Sequence, residues 1–462
     1  MLEAVFATAR LGAIVLPINA RLTPAEVSFQ LDDATPRVLL VEREWRDRAE
    51  AVQHLMETAE PRRLEVGGTD RARASNADSD AYEKALASLE PVSEILPVRP
   101  DAPMILMYTS GTTGKPKGAL LPHRKALYNS LNAEDFFGIR ASDRVLIVAP
   151  LFHSLGLQIL ALPVIFKGAG LILQEGFSAR RVWSAIEAES VTYYGGVPTM
   201  HQRLLDALER KDPFESPPGS LRFAFTAGAA AAPEMIRAFH SLGLLVKQGY
   251  GQTETSTLTC LEADRALAKA GSVGRPVRHV DLRLIDPATI EGPVEAWRDV
   301  DPGVIGEIVA SGPITMLGYW QRPEATAETL REGWVRTGDL ATRDEDFDIT
   351  LVGRSREMYI SGGENVYPAE VEATLVCHPD IEDAAVVAIP DPDWGEVGRA
   401  HIVLAEGKTT MPDQLFEWLS TRLARYKQPR EILLEIELPR TASGKVQKHR
   451  LGLPEDKGHE TP

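Results

Sequence analysis

The sequence predicts an α/β protein: a large N-terminal domain of parallel and mixed sheets layered with helices, followed by a small α+β domain. Two observations carry this. From Val145 to Gly251 apolar strand-like runs alternate with helical stretches, the pattern of parallel strands with helices on their faces. Beyond GRSRE (353–357) the pattern changes to helix, strand, strand, helix, strand, enough for a separate unit. The length of 462 residues also exceeds what one ordinary core serves.

The elements follow in order. MLEAVFATARLGAIVLPINA is broken by Glu3 and Arg10 and lacks a basic leader, so it reads as an amphipathic helix (Val5, Phe6, Ala9) entering a strand at Ala13–Pro17 rather than as a signal peptide. VLIVAP (145–150), LILQEG (171–176), VTYYGGVP (191–198), LRFAFTAG (221–228) and LLVKQGYG (244–251) read as strands. Ser178 is placed to cap a helix Ala179–Glu189 that keeps Val182, Ala185 and Ile186 on one face. Another helix runs to about Glu209, and Pro233 opens one that Gly243 closes. The polar stretch 66–81 reads as a loop. In the last hundred residues or so, Pro368 opens a helix and AAVVAIP is a strand. His401–Leu404 is a second strand, Pro412–Tyr426 a helix with Leu415, Leu419 and Leu423 in register, and Ile432–Leu438 a final strand.

Composition narrows the functions. A net charge of −16 disfavours nucleic acid or an anionic membrane as partner. No run of roughly 18 apolar residues suggests a membrane span. Cys260 and Cys377 stand far apart, with no metal or disulfide spacing, which suits the reducing cytoplasm.

YTSGTTGKPKGA (108–119) is too rich in glycine and hydroxyl groups for a core segment. Gly111, Gly114 and Gly118 allow several N–H groups to converge. Thr109, Ser110, Thr112 and Thr113 add hydroxyl donors, and Lys115 and Lys117 add charge. Each bond to an ionised oxygen is worth roughly 1.5–3 kcal/mol, so a handful could hold a triphosphate. Taken alone the run could also be a surface linker. It is not a P-loop, because five places beyond Gly111 and Gly114 stand Pro116 and Ala119.

Further blocks accompany it: PLFHSLG (150–156), TAGAAAAPE (226–234), QGYGQTET (248–255), GEIVASGPITMLGYW (306–320), WVRTGDLA (334–341), GRSREMYISGGENVYPAEVE (353–372) and PRTASGKVQK (439–448). In this order they resemble the adenylate-forming superfamily, in particular its acyl-CoA synthetases. The resemblance implies an AMP-binding domain over 1–353, a hinge at 354–358 about Arg356, and a mobile C-terminal lid over 359–462. Family members usually carry a further helix–strand segment before the counterpart of LGAIVLPINARLTPAE, so Met1 reads as an internal start.

The site roles that follow are those the resemblance implies. ATP would lie on Thr109, Ser110, Gly111, Thr112, Thr113, Gly114, Lys115 and Gly118. Tyr250 would stack on adenine opposite Ala227, Gly228 and Ala229, with Gly249, Gly251 and Gln252 beside it. Thr253 would touch the α-phosphate and Glu254 would hold Mg²⁺. Asp339 would accept the ribose hydroxyls, assisted by Arg354. Lys445 would stabilise charge as the acyl-adenylate forms; read alone, it belongs to a solvated basic tail with Lys448, His449 and Arg450. His153 would border the acyl channel near the carboxylate, without serving as general base; a histidine in such an apolar run is more commonly a packed core residue. Leu155, Ile159, Tyr194, Gly195, Gly196 and Ala227 would line the channel, and Ser361, Gly362 and Gly363 would meet the pantetheine arm of CoA. The walls are uncharged, and the two glycines suggest room, which favours a medium- or long-chain fatty acid. The alternatives are an aryl-acid CoA ligase, an acyl-AMP ligase loading a carrier protein, and a catalytically dead nucleotide-binding paralogue.

Overall fold

Five apolar strands lie parallel because each of the first four in sequence is followed by a helical segment that returns the chain across a face of the sheet. The computed structural model describes residues 1–67, 81–92, 97–109, 116–212, 214–228, 231–262, 264–361, 364–441 and 444–451. The chain divides into two units: Met1–Asp281 with Ala310–Val335, and Leu282–Val309 with Arg336–Pro462.

The first unit is built on a seven-stranded sheet in the order Arg275–Pro276, Ser256–Leu261, Leu245–Gln252, Phe223–Thr226, Tyr193–Gly196, Arg144–Ile147, Gly170–Leu173. The last five are parallel, and the first two join antiparallel. Both faces are covered, which is why these strands read as continuous apolar runs. One face packs Tyr194, Ala224 and Val246 against Trp183, Ile186, Leu204 and Phe239. The other packs Tyr193, Phe223 and Phe225 against Phe136, Phe137, Ile159 and Leu160. A separate antiparallel sheet joins Pro103–Thr109, Lys117–Pro122 and Gly318–Tyr319.

In the second unit Ile349–Arg354 pairs antiparallel with Trp334–Arg343, setting Asp339 opposite Arg354. Another sheet orders Glu364–Val366, Tyr359–Ser361, Gly395–Leu404 and Ile381–Asp391, with Glu431–Glu435 added parallel. Its core gathers Tyr359, Val371, Val386, Ile402, Leu415 and Leu419.

The α/β class with a smaller α+β block is as expected, and several boundaries differ. The helix Leu2–Arg10 buries Val5, whereas Phe6 faces outward. Ala13–Pro17 contributes a single parallel bridge, Val15 to Ile105, rather than a full strand. Ser178 occupies the N-cap position of Ala179–Ala188, but its side chain makes no cap bond. The expected helix 412–426 ends at Ser420 and tightens into a 3₁₀ turn at Arg425–Lys427, yet Leu415, Leu419 and Leu423 are all buried. Among the described residues no helix is long and apolar enough to cross a membrane, and both cysteines are free, Cys260 buried and Cys377 exposed.

Candidate active site

In a parallel sheet ligands collect beyond the carboxyl ends of the strands, and there the first unit gathers its candidate residues. The register pairs Gly196 with Thr226 and Thr226 with Gln248. Ala227–Gly228 and Gly249–Tyr250 therefore leave adjacent strands side by side. Gly228 takes φ +90, a backbone state that favours glycine, and Tyr250 is buried. Here the Thr226 hydroxyl and the Gln248 side-chain amide oxygen are buried without a hydrogen-bond partner among the described residues. Such atoms are costly unless something polar reaches them.

Glu254 sits at a hairpin tip. Gln252 pairs with Ser256 across the turn, and Ser256 adopts φ +58, the left-handed residue that a three-residue hairpin loop requires. The Thr255 hydroxyl accepts from Gln252 N at 3.0 Å, which tightens the turn. The Glu254 carboxylate is largely buried at 8% exposure and accepts from the Tyr319 hydroxyl at 2.8 Å. The Glu254 carbonyl accepts from Met316 N at 2.8 Å and from Lys125 Nζ at 3.3 Å. An oriented carboxylate oxygen is the donor that a hard divalent cation takes, so the residue fits Mg²⁺.

Of the phosphate turn, Ser110, Gly111, Thr112, Thr113, Gly114 and Lys115 lie outside the described residues, as do Ala229, Gly362 and Gly363. The flanks of the turn are placed. Thr109 pairs with Lys117 and Tyr108 with Gly118. Gly118 is needed for packing, since a Cβ there would stand 2.7 Å from Leu106 Cδ1 and 3.3 Å from the Tyr108 ring. The Tyr108 hydroxyl donates to Asp33 at 2.6 Å, and Arg322 reaches the other Asp33 oxygen at 2.6 Å. Burial first, then Asp33, pushes the Tyr108 phenol well above its ordinary value.

The acyl region is less open than the two glycines suggested. Leu155–Ala161 forms a π-helix, a form common at functional sites. Gly156 lets it start against the chain before it, where a Cβ would meet Pro150 O at 2.5 Å. His153 precedes this helix, its ring 4.5 Å from Phe152. Leu155, Ile159 and Ala227 share one cluster with Leu160. A Cβ on Gly195 would lie 2.8 Å from Leu160 Cδ1, so Leu160 already fills that space. Successive strand residues face opposite sides, and Tyr194 lies in the other core cluster. There its hydroxyl occupies the space beside Gly196, 2.4 Å from where a Cβ would be. The expectation of room at Gly195 and Gly196 is thus corrected. Tyr194 and Gly196 do not share the face of Ile159, Gly195 and Leu160.

In the second unit Asp339 is buried, and its carboxylate meets Arg354 Nε at 3.0 Å while its N–H donates to the Thr337 hydroxyl at 3.1 Å. Arg356 is exposed on a turn in which Glu357 N and Met358 N both donate to Arg354 O. Ser361 is buried and pairs with Gly395. Lys445 is exposed on a small turn. Thr441 N donates to Lys445 O at 2.7 Å, Lys445 N donates to the Thr441 hydroxyl at 3.1 Å, and Gly444 takes φ +88. Lys448 does not belong to a solvated tail. Its ammonium bridges Glu357 at 2.5 Å and Glu372 at 2.7 Å. Burial alone would lower Lys448, but the two carboxylates outweigh it and hold the amine above its usual value. Burial raises the Glu372 carboxyl in spite of Lys448.

Sequence reasoning missed Lys125, Tyr319, Asp33 and Leu160. Tyr319 lay inside a matched block, GYW, without a chemical reason attached. Lys125, fully buried on Glu254 O and Ile314 O, reads from sequence as one more surface cation at a helix start. Burial pulls its ammonium well below the ordinary lysine value, with Glu254 opposing.

Two family profiles match the chain: AMP-binding enzyme over residues 1–320, and AMP-binding enzyme C-terminal domain over 370–445. A feruloyl-CoA synthase of Amycolatopsis sp is 40% identical over 449 residues, covering 97% of this chain and 85% of the relative. An indoleacetate–CoA ligase of Aromatoleum aromaticum is 37% identical over 454 residues, covering 97% and 84%. Among solved structures, o-succinylbenzoate coenzyme A synthetase from Bacillus subtilis, in complex with ATP and magnesium ion, superposes with a TM-score of 0.83 at 30% identity, covering 98% of this chain and 86% of that one.

Proposed function

Because the chain belongs to the AMP-binding enzyme family of adenylate-forming acid–thiol ligases, we propose that it is an aryl-acid–CoA ligase that uses ATP. In the first step a carboxylate oxygen of the acid attacks the α-phosphorus of ATP, the bond to the β-phosphate oxygen breaks, and acyl-AMP and pyrophosphate form. In the second, the CoA thiol loses its proton and its sulfur attacks the acyl carbon, releasing AMP and leaving the thioester.

The residues divide this work. Tyr250 and the Ala227–Gly228 backbone clasp the adenine. Asp339, held in place by Arg354, accepts from the ribose hydroxyls. The 109–118 turn and Thr253 hold the phosphates, and Glu254 takes Mg²⁺. When bound, that ion offsets phosphate charge. Lys445 supplies a cation where charge builds in the transition state, and mobility suits a group needed in one half-reaction and not in the next. The lid, read as residues 359–462 turning about Arg356 within 354–358, carries Lys445 for adenylation and Ser361 with its neighbouring glycines for the CoA arm. His153 orients the acid.

The observation that carries the acid class is the closed space beside Gly195, filled by Leu160. The medium- or long-chain fatty acid expected from that glycine loses its structural support. A flat, compact acid suits walls made of Leu155, Ile159 and Ala227. Names of relatives acting on feruloyl and indoleacetate groups point the same way.

Pyrophosphate release against ferulate, indoleacetate, octanoate and palmitate, each with and without CoA, tests the proposal. Turnover with the aromatic acids that needs CoA is the expected result. Preference for palmitate overturns the acid class, transfer to a carrier protein without CoA overturns the acceptor, and nucleotide binding with no pyrophosphate overturns the activity.

A further inference from the structure

A carboxylate that takes a metal ion binds it more tightly if it is ordered beforehand, because the ordering cost is then not charged against binding. The hairpin tip fixes the Glu254 backbone, but only side-chain contacts can fix its carboxylate. Tyr319 supplies one, donating its hydroxyl to Oε1 at 2.8 Å. The ring that carries this hydroxyl is itself anchored. Tyr319 pairs with Ala119 in the strand that leaves the phosphate turn, and its ring packs on the cluster of Met104, Met107 and Met316. Lys117 Nζ, at the foot of the same turn, lies 5.4 Å from the ring centroid, within cation–π range. One aromatic ring therefore touches a basic arm of the phosphate turn on its face and the acidic hairpin tip at its hydroxyl.

We propose that Tyr319 is a positioning residue for metal binding: its hydroxyl holds the Glu254 carboxylate in the orientation that receives Mg²⁺. The proposal rests on Glu254 being the metal ligand. Phenylalanine would keep the ring, its packing and the contact with Lys117, so the hydroxyl alone is at stake.

The test uses Mn²⁺ as a paramagnetic probe, titrated into the 462-residue chain saturated with α,β-methylene ATP and read by electron paramagnetic resonance. Wild type, Tyr319→Phe, Glu254→Gln and the double variant are compared, with nucleotide affinity measured separately in chelator. Tyr319→Phe is expected to weaken Mn²⁺ binding about tenfold, the scale of one hydrogen bond to a charged group. It should leave metal-free nucleotide affinity unchanged and add nothing in the Glu254→Gln background. Mn²⁺ binding at wild-type strength in Tyr319→Phe, with loss in Glu254→Gln, overturns the positioning role and leaves the ligand assignment standing. Undiminished Mn²⁺ binding in Glu254→Gln overturns the ligand assignment instead. Equal loss of metal and metal-free nucleotide affinity in Tyr319→Phe identifies a packing effect and also overturns the proposal.

Discussion

Glu254 and Lys445 are held in opposite ways. The glutamate sits on a buried hairpin tip, with bonds to its carbonyl and its carboxylate from strands and helices far apart in sequence. The lysine rides an exposed turn in which its backbone N–H and carbonyl both bond Thr441. The proposed roles match this difference: a metal ligand keeps one geometry through both half-reactions, whereas the cation at the α-phosphate is needed in the first alone.

Breaking the exposed side of this comparison should have the largest effect. Lys445→Ala is expected to lower adenylation by about two to three orders of magnitude, the scale of losing one preorganised stabiliser. Thioester formation from supplied acyl-AMP should stay near wild type. Stopped-flow pyrophosphate release and a separate thioester assay check the two halves, and near-normal adenylation would remove Lys445 from its role.

Lys448, three residues on, is the fixed counterpart of Lys445. Lys448→Met leaves two carboxylates facing each other in a half-buried site and should destabilise the second unit by about 3 kcal/mol. Urea unfolding followed by tryptophan fluorescence would show it, and an unchanged midpoint would place Lys448 among ordinary surface ion pairs.

On the fixed side, Leu160→Ala should reopen the space beside Gly195. Selectivity for octanoate over ferulate should rise about tenfold, measured as the ratio of kcat/KM values, at the scale of filling or emptying a few methylenes. No change in the ratio would mean that the acid binds away from Leu160. The smallest effect is expected from Gly444→Ala. A side chain there meets no atom within 4 Å, so only the left-handed backbone resists it. Adenylation should fall no more than about fivefold, reflecting a backbone penalty of roughly 1 kcal/mol, with the melting temperature lowered by at most a few degrees.

Most of the fold was legible because strand and helix periodicity is local. The parallel strands, the helices begun by Pro233 and Pro368, and the buried stripe of Leu415, Leu419 and Leu423 all follow from neighbours in sequence. Boundaries were less so. Ser178 has the right chemistry for a cap, but whether its oxygen meets a helical N–H depends on a torsion that sequence does not show. The π-helix at Leu155–Ala161 hides in a run where nearly every residue is apolar and no period stands out. At the candidate site, glycines revealed where the backbone is bare but not what leans against it. Leu160 fills Gly195's space from the preceding π-helix, and Tyr194 shades Gly196 from two residues away. Tyr319 and Lys125 act on Glu254 across 65 and 129 residues of chain, a distance over which no motif carries information.

The π-helix has one more consequence. Each of its turns holds more residues than the 3.6 of an α-helix, so the segment Leu155–Ala161 stores surplus length. Deleting one residue there would let the backbone relax toward the commoner helix while swinging the preceding side chains about 100° around the axis. His153 and Leu155 would then face a different direction, so a single codon loss would turn several side chains together, which no one substitution does.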